Sequence, residues 1–145
     1  MGKVILIAED EAVMLETVTQ VCLDMGFECL TASNGLEACQ ILETICPHFI
    51  FTDYRMPMMD GLQLIHHARE KYPKIVTAIF SGFADKESII AFLHEGVNFY
   101  VEKPFTLEAL KVQILKCDKA ADDLNQREKD ELKEIIELFT EEALL

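Results

Sequence analysis

The sequence predicts an α/β fold in which five strand–helix units build one doubly wound parallel sheet with helices on both faces. Three observations support this prediction. Short apolar runs alternate with amphipathic stretches in units of about 20–25 residues. The apolar runs are nearly continuous, as in strands that are buried on both faces. Capping residues, glycine or proline separate most of the units.

The five predicted strands are short and mainly apolar. The first is the clearest because every residue of VILIA, at 4–8, is apolar. Each later run follows after a stretch long enough for one helix. These runs lie at 29–32, 49–52 (FIFT), 75–80 (IVTAIF) and 99–102 (FYVE).

The predicted helices have recognisable ends. Side chains that can accept a hydrogen bond from the first helical turn stand before four of them, and glycine follows two of them. The predicted N-caps are Asn34, Asp60, Asp85 and Thr106, and the predicted stops are Gly26 and Gly96. The helices themselves are predicted at 11–25, at 35–44, at 61–71, from Asp85 to Glu95, and after Thr106.

The last predicted helix continues beyond the fifth unit. A heptad-like apolar seam runs to Leu124, a polar stretch at 125–131 weakens it, and a second apolar face follows from Leu132 to Phe139. No glycine or proline occurs after Pro104, so the helix either runs well past the compact domain or breaks once in the polar stretch. We predict a domain at 1–118 and an extension at 119–145. The extension is either a partner helix, or a linker to an output domain, or an extra helix that folds back.

Composition excludes several classes of protein. The chain of 145 residues is the length of one domain. Its formal net charge of −13 argues against a free-standing nucleic-acid binder, which is expected to be basic. No apolar stretch approaches the roughly 20 residues of a membrane span, and the N-terminus lacks the features of a signal peptide. We therefore predict a cytoplasmic protein with no membrane partner.

Charged side chains follow three of the predicted strands. Glu9 and Asp10 follow the first, Asp53 the third and Lys103 the fifth, while Ser81 follows the fourth. If the strands are parallel, these groups meet at the carboxyl edge of the sheet, where open α/β sheets bind ligands. Crowded carboxylates need a divalent cation, and a lysine beside them would pair with an added anion. This chemistry suits a magnesium-assisted phosphoryl acceptor.

The segments ILIAEDE, FTDYRMPMMDG, FSGFAD and YVEKPF resemble, in their order and spacing, the receiver domain of two-component response regulators (CheY-like). The resemblance covers residues 3 to about 118. It implies a (βα)5 flavodoxin-like fold with strand order 2-1-3-4-5 and an extended C-terminal helix. It also implies a phosphorelay function in signal transduction.

The resemblance implies an acceptor and a metal site. Asp53 matches the phosphoacceptor of the family. Asp10 and Asp53 match direct ligands of Mg2+ (or Mn2+), and Glu9 matches an acidic position that often acts through water. The main-chain carbonyl of Arg55 matches the remaining protein ligand.

The resemblance also implies a switch. Lys103 matches the active-site lysine of the family, and its peptide bond to Pro104 is expected to be cis. Ser81 and Tyr100 match the hydroxyl and aromatic switch pair, with the fourth helix, fifth strand and fifth helix as the readout surface. Arg55 and Phe83 fall at two variable positions that flank the phosphoryl group. Because both are bulky and could restrict the hydrolytic water, we predict a long-lived phosphorylated state.

The implied partners are a sensor histidine kinase or phosphotransfer protein and an output domain or partner protein. A second copy of this chain, bound through the C-terminal helix, is a further candidate. The chain would accept a phosphoryl group and assist its own phosphorylation and dephosphorylation, without being an enzyme in the ordinary sense. Alternatives are a receiver-like interaction module that is never phosphorylated, an aspartyl-nucleophile phosphatase and a flavodoxin-like nucleotide binder. The acidic run Glu9-Asp10-Glu11 in the first loop disfavours the nucleotide binder, because it would repel a phosphate.

Overall fold

The computed structural model describes residues 2–82 and 85–144, with side chains described as far as residue 140. Five parallel strands form one sheet in the order β2-β1-β3-β4-β5, which confirms the predicted flavodoxin-like topology. The strands are β1 (Val4–Ala8), β2 (Glu28–Ala32), β3 (Phe49–Asp53), β4 (Val76–Ser81) and β5 (Phe99–Glu102). The helices are α1 (Ala12–Asp24), α2 (Gly35–Thr44), α3 (Gly61–Lys71), α4 (Lys86–Glu95) and α5 (Leu107–Leu144).

The ends of two strands differ by one residue from the sequence prediction. Asp53 and Ser81 were predicted to follow their strands, but each is the last paired residue of its strand. Asp53 lies opposite Phe80, and Ser81 lies opposite Glu102. Both polar side chains are therefore held by the sheet itself instead of by a loop, which fixes their positions.

The four predicted N-caps are confirmed. The side chains of Asn34, Asp60, Asp85 and Thr106 each accept a hydrogen bond from the backbone N–H three residues further on. Gly96 ends α4 with φ of 79°, a left-handed conformation that glycine adopts without strain. These local signals start or end the helices where the sequence predicted.

Alternate residues of each central strand enter two different cores. Ile5, Ile7 and Phe51 belong to the core that α1 and α5 cover. Leu6 and Ile50 belong to the core that α2 and α3 cover. Because both faces of the sheet are buried, β1 and β3 have to be apolar throughout, which explains the continuous runs in the sequence.

The helix α5 is unbroken over 38 residues, so no break occurs in the polar stretch. It packs on the domain as far as Leu124, and Lys3 pairs with Asp118 at 2.6 Å. Glu128 still pairs with Lys74 of the domain at 3.2 Å. Every residue from 125 to 140 is nevertheless exposed, so this part does not fold back as a packed helix. Within the described residues, no helix is long and apolar enough to cross a lipid bilayer.

Candidate functional site

The two acidic residues that follow β1 lie in different environments. Glu9 is 1% exposed, and its backbone N–H donates to the carbonyl of Ala32 on the neighbouring strand. One of its carboxylate oxygens accepts a hydrogen bond of 3.0 Å from the N–H of Glu11. Asp10 is exposed. The chain thus turns one carboxylate into the protein and leaves the next at the surface.

Asp53 lies at the end of β3 and is buried, with 7% of its surface exposed. Its Oδ1 accepts a hydrogen bond of 2.9 Å from the N–H of Tyr54, and its main-chain carbonyl accepts one from the hydroxyl of Thr52. Gly61 packs so tightly here that a Cβ at that position would collide with the carbonyl oxygen of Asp53. The backbone around Asp53 is therefore fixed from both sides.

The sheet brings the three predicted acidic side chains together. One carboxylate oxygen from each of Glu9, Asp10 and Asp53 lies within 4.8 Å of the others. Since β1 and β3 are direct neighbours, their carboxyl ends meet at one point. The sequence prediction of a carboxylate cluster at this edge agrees with the described geometry.

Lys103 reaches the same cluster from β5. Its Nζ lies 3.1 Å from Oε2 of Glu9 and 3.3 Å from Oδ1 of Asp53. Its backbone N–H donates to the carbonyl of Ser81 at 2.7 Å, which ties the start of the following loop to β4. The peptide bond between Lys103 and Pro104 is cis.

Burial controls the charges in this cluster. Burial, followed by repulsion from Asp53, raises the pKa of Glu9 to about 7, while hydrogen bonding by Glu11 and Lys103 opposes the rise. Burial also raises the pKa of Asp53, and Lys103 is the main opposing influence. One lysine does not fully compensate two buried carboxylates and a third at the rim. All these donors are oxygens, the ligands that Mg2+ and Mn2+ prefer, so the cluster fits a divalent cation.

The two predicted switch residues lie at different depths. Ser81 is 3% exposed at the end of β4. Tyr100 is half-buried on β5, where its ring packs 5.9 Å from the ring of Phe92 on α4. Burial raises the pKa of the Tyr100 hydroxyl. Tyr100 thus links the edge strand to α4, while Ser81 lies one strand further inside.

Arg55 is exposed in the loop after β3, and its guanidinium lies 5.4 Å from the centre of the Tyr54 ring. Tyr54 in turn packs edge-on against Phe92 at 4.8 Å. The prediction for Phe83 lies outside the described residues. Sequence reasoning missed Tyr54 and Gly61 as supports of the site. The sequence did contain a clue to Gly61, because glycine disfavours the helical conformation and yet stands in the first turn of a capped helix.

A family model for the response regulator receiver domain matches residues 5–115. This chain belongs to the response regulator receiver domain family. The carboxylate cluster and Lys103 therefore lie within a receiver domain of two-component signalling.

Two groups of curated proteins resemble this receiver domain. The hydrogenase transcriptional regulatory protein HoxA of Bradyrhizobium diazoefficiens is 36% identical over 107 residues, which are 73% of this chain and 22% of HoxA. The chemotaxis protein CheY-3 of Vibrio cholerae is 34% identical over 115 residues, which are 77% of this chain and 88% of CheY-3. The chain therefore spans about a fifth of the length of HoxA and most of the length of CheY-3.

Solved structures have the same fold. A CheY-like receiver domain from Methanospirillum hungatei has a TM-score of 0.79 at 25% identity, and the match covers 85% of this chain and 99% of that one. NtrX from Brucella abortus has a TM-score of 0.80 at 23% identity, covering 90% of this chain and 30% of NtrX. The NtrX likeness shows the fold alone.

Proposed function

We propose that this receiver domain accepts a phosphoryl group on Asp53 from a phosphohistidine of a sensor kinase or phosphotransfer protein. The observation that carries the proposal is the position of Asp53. Its carboxylate lies 3.3 Å from the ammonium of Lys103 and within reach of Glu9 and Asp10. An anion added to Asp53 would meet a fixed positive charge on one side and a cation-binding cluster on the other.

In the transfer, a carboxylate oxygen of Asp53 attacks the phosphorus atom. The bond between phosphorus and the donor imidazole nitrogen breaks, and its electron pair stays on that nitrogen, which takes up a proton. Lys103 is held close enough to neutralise an oxygen of the incoming phosphoryl group. Phosphoryl transfer depends mainly on such positioning and charge neutralisation.

Glu9, Asp10, Asp53 and the main-chain carbonyl of Arg55 would hold Mg2+ or Mn2+. When bound, the cation neutralises charge on the phosphoryl oxygens. The side chains contribute independently of this. Glu9 accepts hydrogen bonds from Lys103 and from the N–H of Glu11, which keeps both Glu9 and the ammonium oriented toward Asp53.

The added charge would be read through Ser81 and Tyr100. Ser81 can donate its hydroxyl proton to a phosphoryl oxygen, and its movement would leave space toward which Tyr100 turns. Tyr100 packs on Phe92 of α4, so the change reaches the surface formed by α4, β5 and α5. This surface would control an output domain or a partner protein.

Three kinds of partner follow from the proposal. A phosphohistidine protein supplies the phosphoryl group. An output domain or separate protein reads the switch, as the name of HoxA, a transcriptional regulatory protein, suggests for that relative. A second copy of this chain would bind through α5. The net charge of −13 argues against direct binding of this chain to a nucleic acid.

The phosphorylated state is proposed to be long-lived because Arg55 and Phe83 are bulky residues at the two variable positions that flank the phosphoryl group in the family. Arg55 follows Tyr54 in the chain, and its guanidinium lies near the Tyr54 ring. The backbone N–H of Tyr54 donates a hydrogen bond to Asp53. Removing the side chain of Arg55 would open a path for water, so Arg55→Ala should shorten the half-life of the phosphorylated protein several-fold. Intact-mass time courses would measure this. An unchanged half-life in Arg55→Ala and also in Phe83→Ala would remove the basis for this part of the proposal.

The test of the function uses acetyl phosphate, a small acyl phosphate donor, and intact-mass spectrometry. With Mg2+, the protein should gain one phosphoryl group, and EDTA should prevent the gain. Asp53→Asn should gain nothing. Asp24→Asn, which changes an exposed carboxylate on α1, should behave like the unchanged protein. Absence of any gain, with both acetyl phosphate and a phosphorylated histidine protein as donors, would contradict the proposal and favour an interaction module.

A further inference from the structure

The distal part of α5 exposes apolar side chains that take no part in the proposed phosphoryl transfer. Four of them, Leu132, Ile135, Ile136 and Phe139, follow the spacing of one helix face and are here called the distal stripe. Each is between 48% and 68% exposed. A contiguous apolar patch rimmed by charged residues is a common mark of a protein–protein contact.

The distal stripe lies on the same helix face that packs on the domain. Eighteen residues make about five turns of an α-helix, so residues separated by eighteen positions project from the same side. Three residues of α5 that are buried against the domain each lie eighteen positions before a member of the distal stripe. The pairs are Ile114 and Leu132, Cys117 and Ile135, and Ala121 and Phe139.

This shared face restricts how two copies can pair. In a parallel side-by-side pair, the first half of the partner's helix would have to occupy the space that the domain of the first copy fills. In an antiparallel pair, the two domains lie at opposite ends of the paired segments and do not compete for space. The exposed segment, about 24 Å long at 1.5 Å per residue, offers enough length for such a contact.

The charges on the segment favour the same orientation. In residues 127–133, the three cations Arg127, Lys129 and Lys133 balance three anions. Residues 134–142 contain four glutamates and no cation. A parallel pair would place the two acidic halves side by side, whereas an antiparallel pair places each acidic half beside a balanced one.

We propose that the distal stripe pairs with the distal stripe of a second copy in an antiparallel two-helix contact. The contact is isologous, with Leu132 against the partner's Phe139 and the isoleucines near the two-fold axis. The end of each helix then approaches the open cleft of the other copy, about 470 Å³ in volume, which Lys71, Tyr72 and Lys74 help to line. This inference deepens the proposed pairing of two copies and does not depend on the chemistry at Asp53.

Sedimentation velocity over a range of concentrations tests the surface. The unchanged chain should form a reversible dimer. Phe139→Asp, which places a charge within the contact, should weaken the dimer at least about 30-fold. Leu138→Asp is the matched control, because Leu138 is 61% exposed, close to the 68% of Phe139, but projects from another side of α5. A chain that stays monomeric, or equal effects of the two substitutions, would overturn the proposal.

Disulfide trapping tests the orientation. Cys46 is an exposed native thiol, so both reporters are built on Cys46→Ser. The variants Leu132→Cys and Phe139→Cys are oxidised separately and as a mixture. An antiparallel contact predicts that the mixture forms a disulfide between the two different chains, because only those Cα atoms come within the 4.4–6.8 Å that a disulfide spans. Efficient disulfides within each variant alone, or none in the mixture, would contradict it.

The two proposals can fail separately. Phe139→Asp should still accept a phosphoryl group from acetyl phosphate at the rate of the unchanged protein, since residue 139 lies far outside the acidic pocket. Loss of the dimer with intact phosphorylation supports the contact surface alone. Loss of phosphorylation in the unchanged dimeric protein would overturn the proposed function and leave the contact in place.

Discussion

The acidic pocket and the distal part of α5 depart from the usual burial pattern in opposite directions. The pocket buries carboxylates, with Glu9 at 1% and Asp53 at 7% exposure, although ionised groups are rarely buried. Distal α5 exposes large apolar side chains, among them Phe139 at 68%. Both features cost the isolated folded chain free energy. A cation at the pocket and a second copy at the distal stripe are the proposed interactions that would offset these costs.

The two regions differ in how their residues are supported. Glu9, Asp53 and Lys103 contact one another and lie at the ends of paired strands, so a change there alters both stability and chemistry. The residues of the distal stripe are between 48% and 68% exposed, so a change there should alter association alone. The three predictions below separate these effects, beginning with the largest.

The first prediction compares two positions on one face of α5. Ile114 is fully buried against the sheet, and Leu132, five turns later, is 58% exposed. Ile114→Ala should lower the free energy of unfolding by about 3–4 kcal/mol, because it leaves a cavity in the core. Leu132→Ala should change it by less than about 0.5 kcal/mol. Urea unfolding at a concentration where the chain is monomeric measures both. Equal losses would mean that the distal helix packs on the domain in solution.

The second prediction concerns the lysine of the pocket. Lys103→Met should lower the free energy of unfolding at pH 8 by about 2–4 kcal/mol, because two buried carboxylates lose their positive partner. The loss should shrink at pH 5, where Glu9 takes up a proton. Lys111→Met, which removes a half-buried lysine on α5 whose side chain is 45% exposed, should cost less than about 0.5 kcal/mol. A pH-independent loss would show that packing, and not charge, explains the effect of Lys103.

The third prediction follows from the pKa of Glu9, which burial raises from its ordinary 4.5 to about 7. Between these pH values the unfolded chain releases this proton while the folded chain keeps it, so folded stability falls as pH rises. Glu9→Gln cannot titrate. Its free energy of unfolding relative to the unchanged protein should rise by about 2 kcal/mol between pH 4.5 and pH 7 in EDTA.

Urea unfolding at several pH values checks the third prediction, with Glu131→Gln on the exposed part of α5 as the control. The control curve should run parallel to that of the unchanged protein. If the Glu9→Gln curve were parallel as well, Glu9 would titrate normally, and burial would not raise its pKa in the folded protein.

Much of the fold could be predicted from local signals. The continuous run VILIA and the caps at Asn34, Asp60 and Asp85 located β1 and three helices, because burial on both faces and backbone hydrogen bonding act over a few residues. Strand order could not be obtained from periodicity and came from the family resemblance. The sequence does not decide whether α5 is continuous, since 125–131 lacks an apolar face although its residues favour a helix.

The pocket could be predicted as a group but not in its details. Parallel strands bring Glu9, Asp53 and Lys103 to one edge, so their proximity follows from topology. Which of Glu9 and Asp10 is buried depends on how the chain turns after β1, and the sequence carries no signal for it. The contact of Lys103 with Glu9 joins residues 94 positions apart. The role of Gly61 against the Asp53 carbonyl needed coordinates as well.

The central claim is that Asp53 is the residue that accepts the phosphoryl group. Borohydride reduces an aspartyl phosphate to homoserine, so peptide mapping of the phosphorylated and then reduced protein identifies the acceptor directly. We predict homoserine at position 53, dependent on Mg2+ and on the phosphodonor. Homoserine at Glu9's neighbour Asp10, or at any other aspartate with position 53 unchanged, would contradict the account.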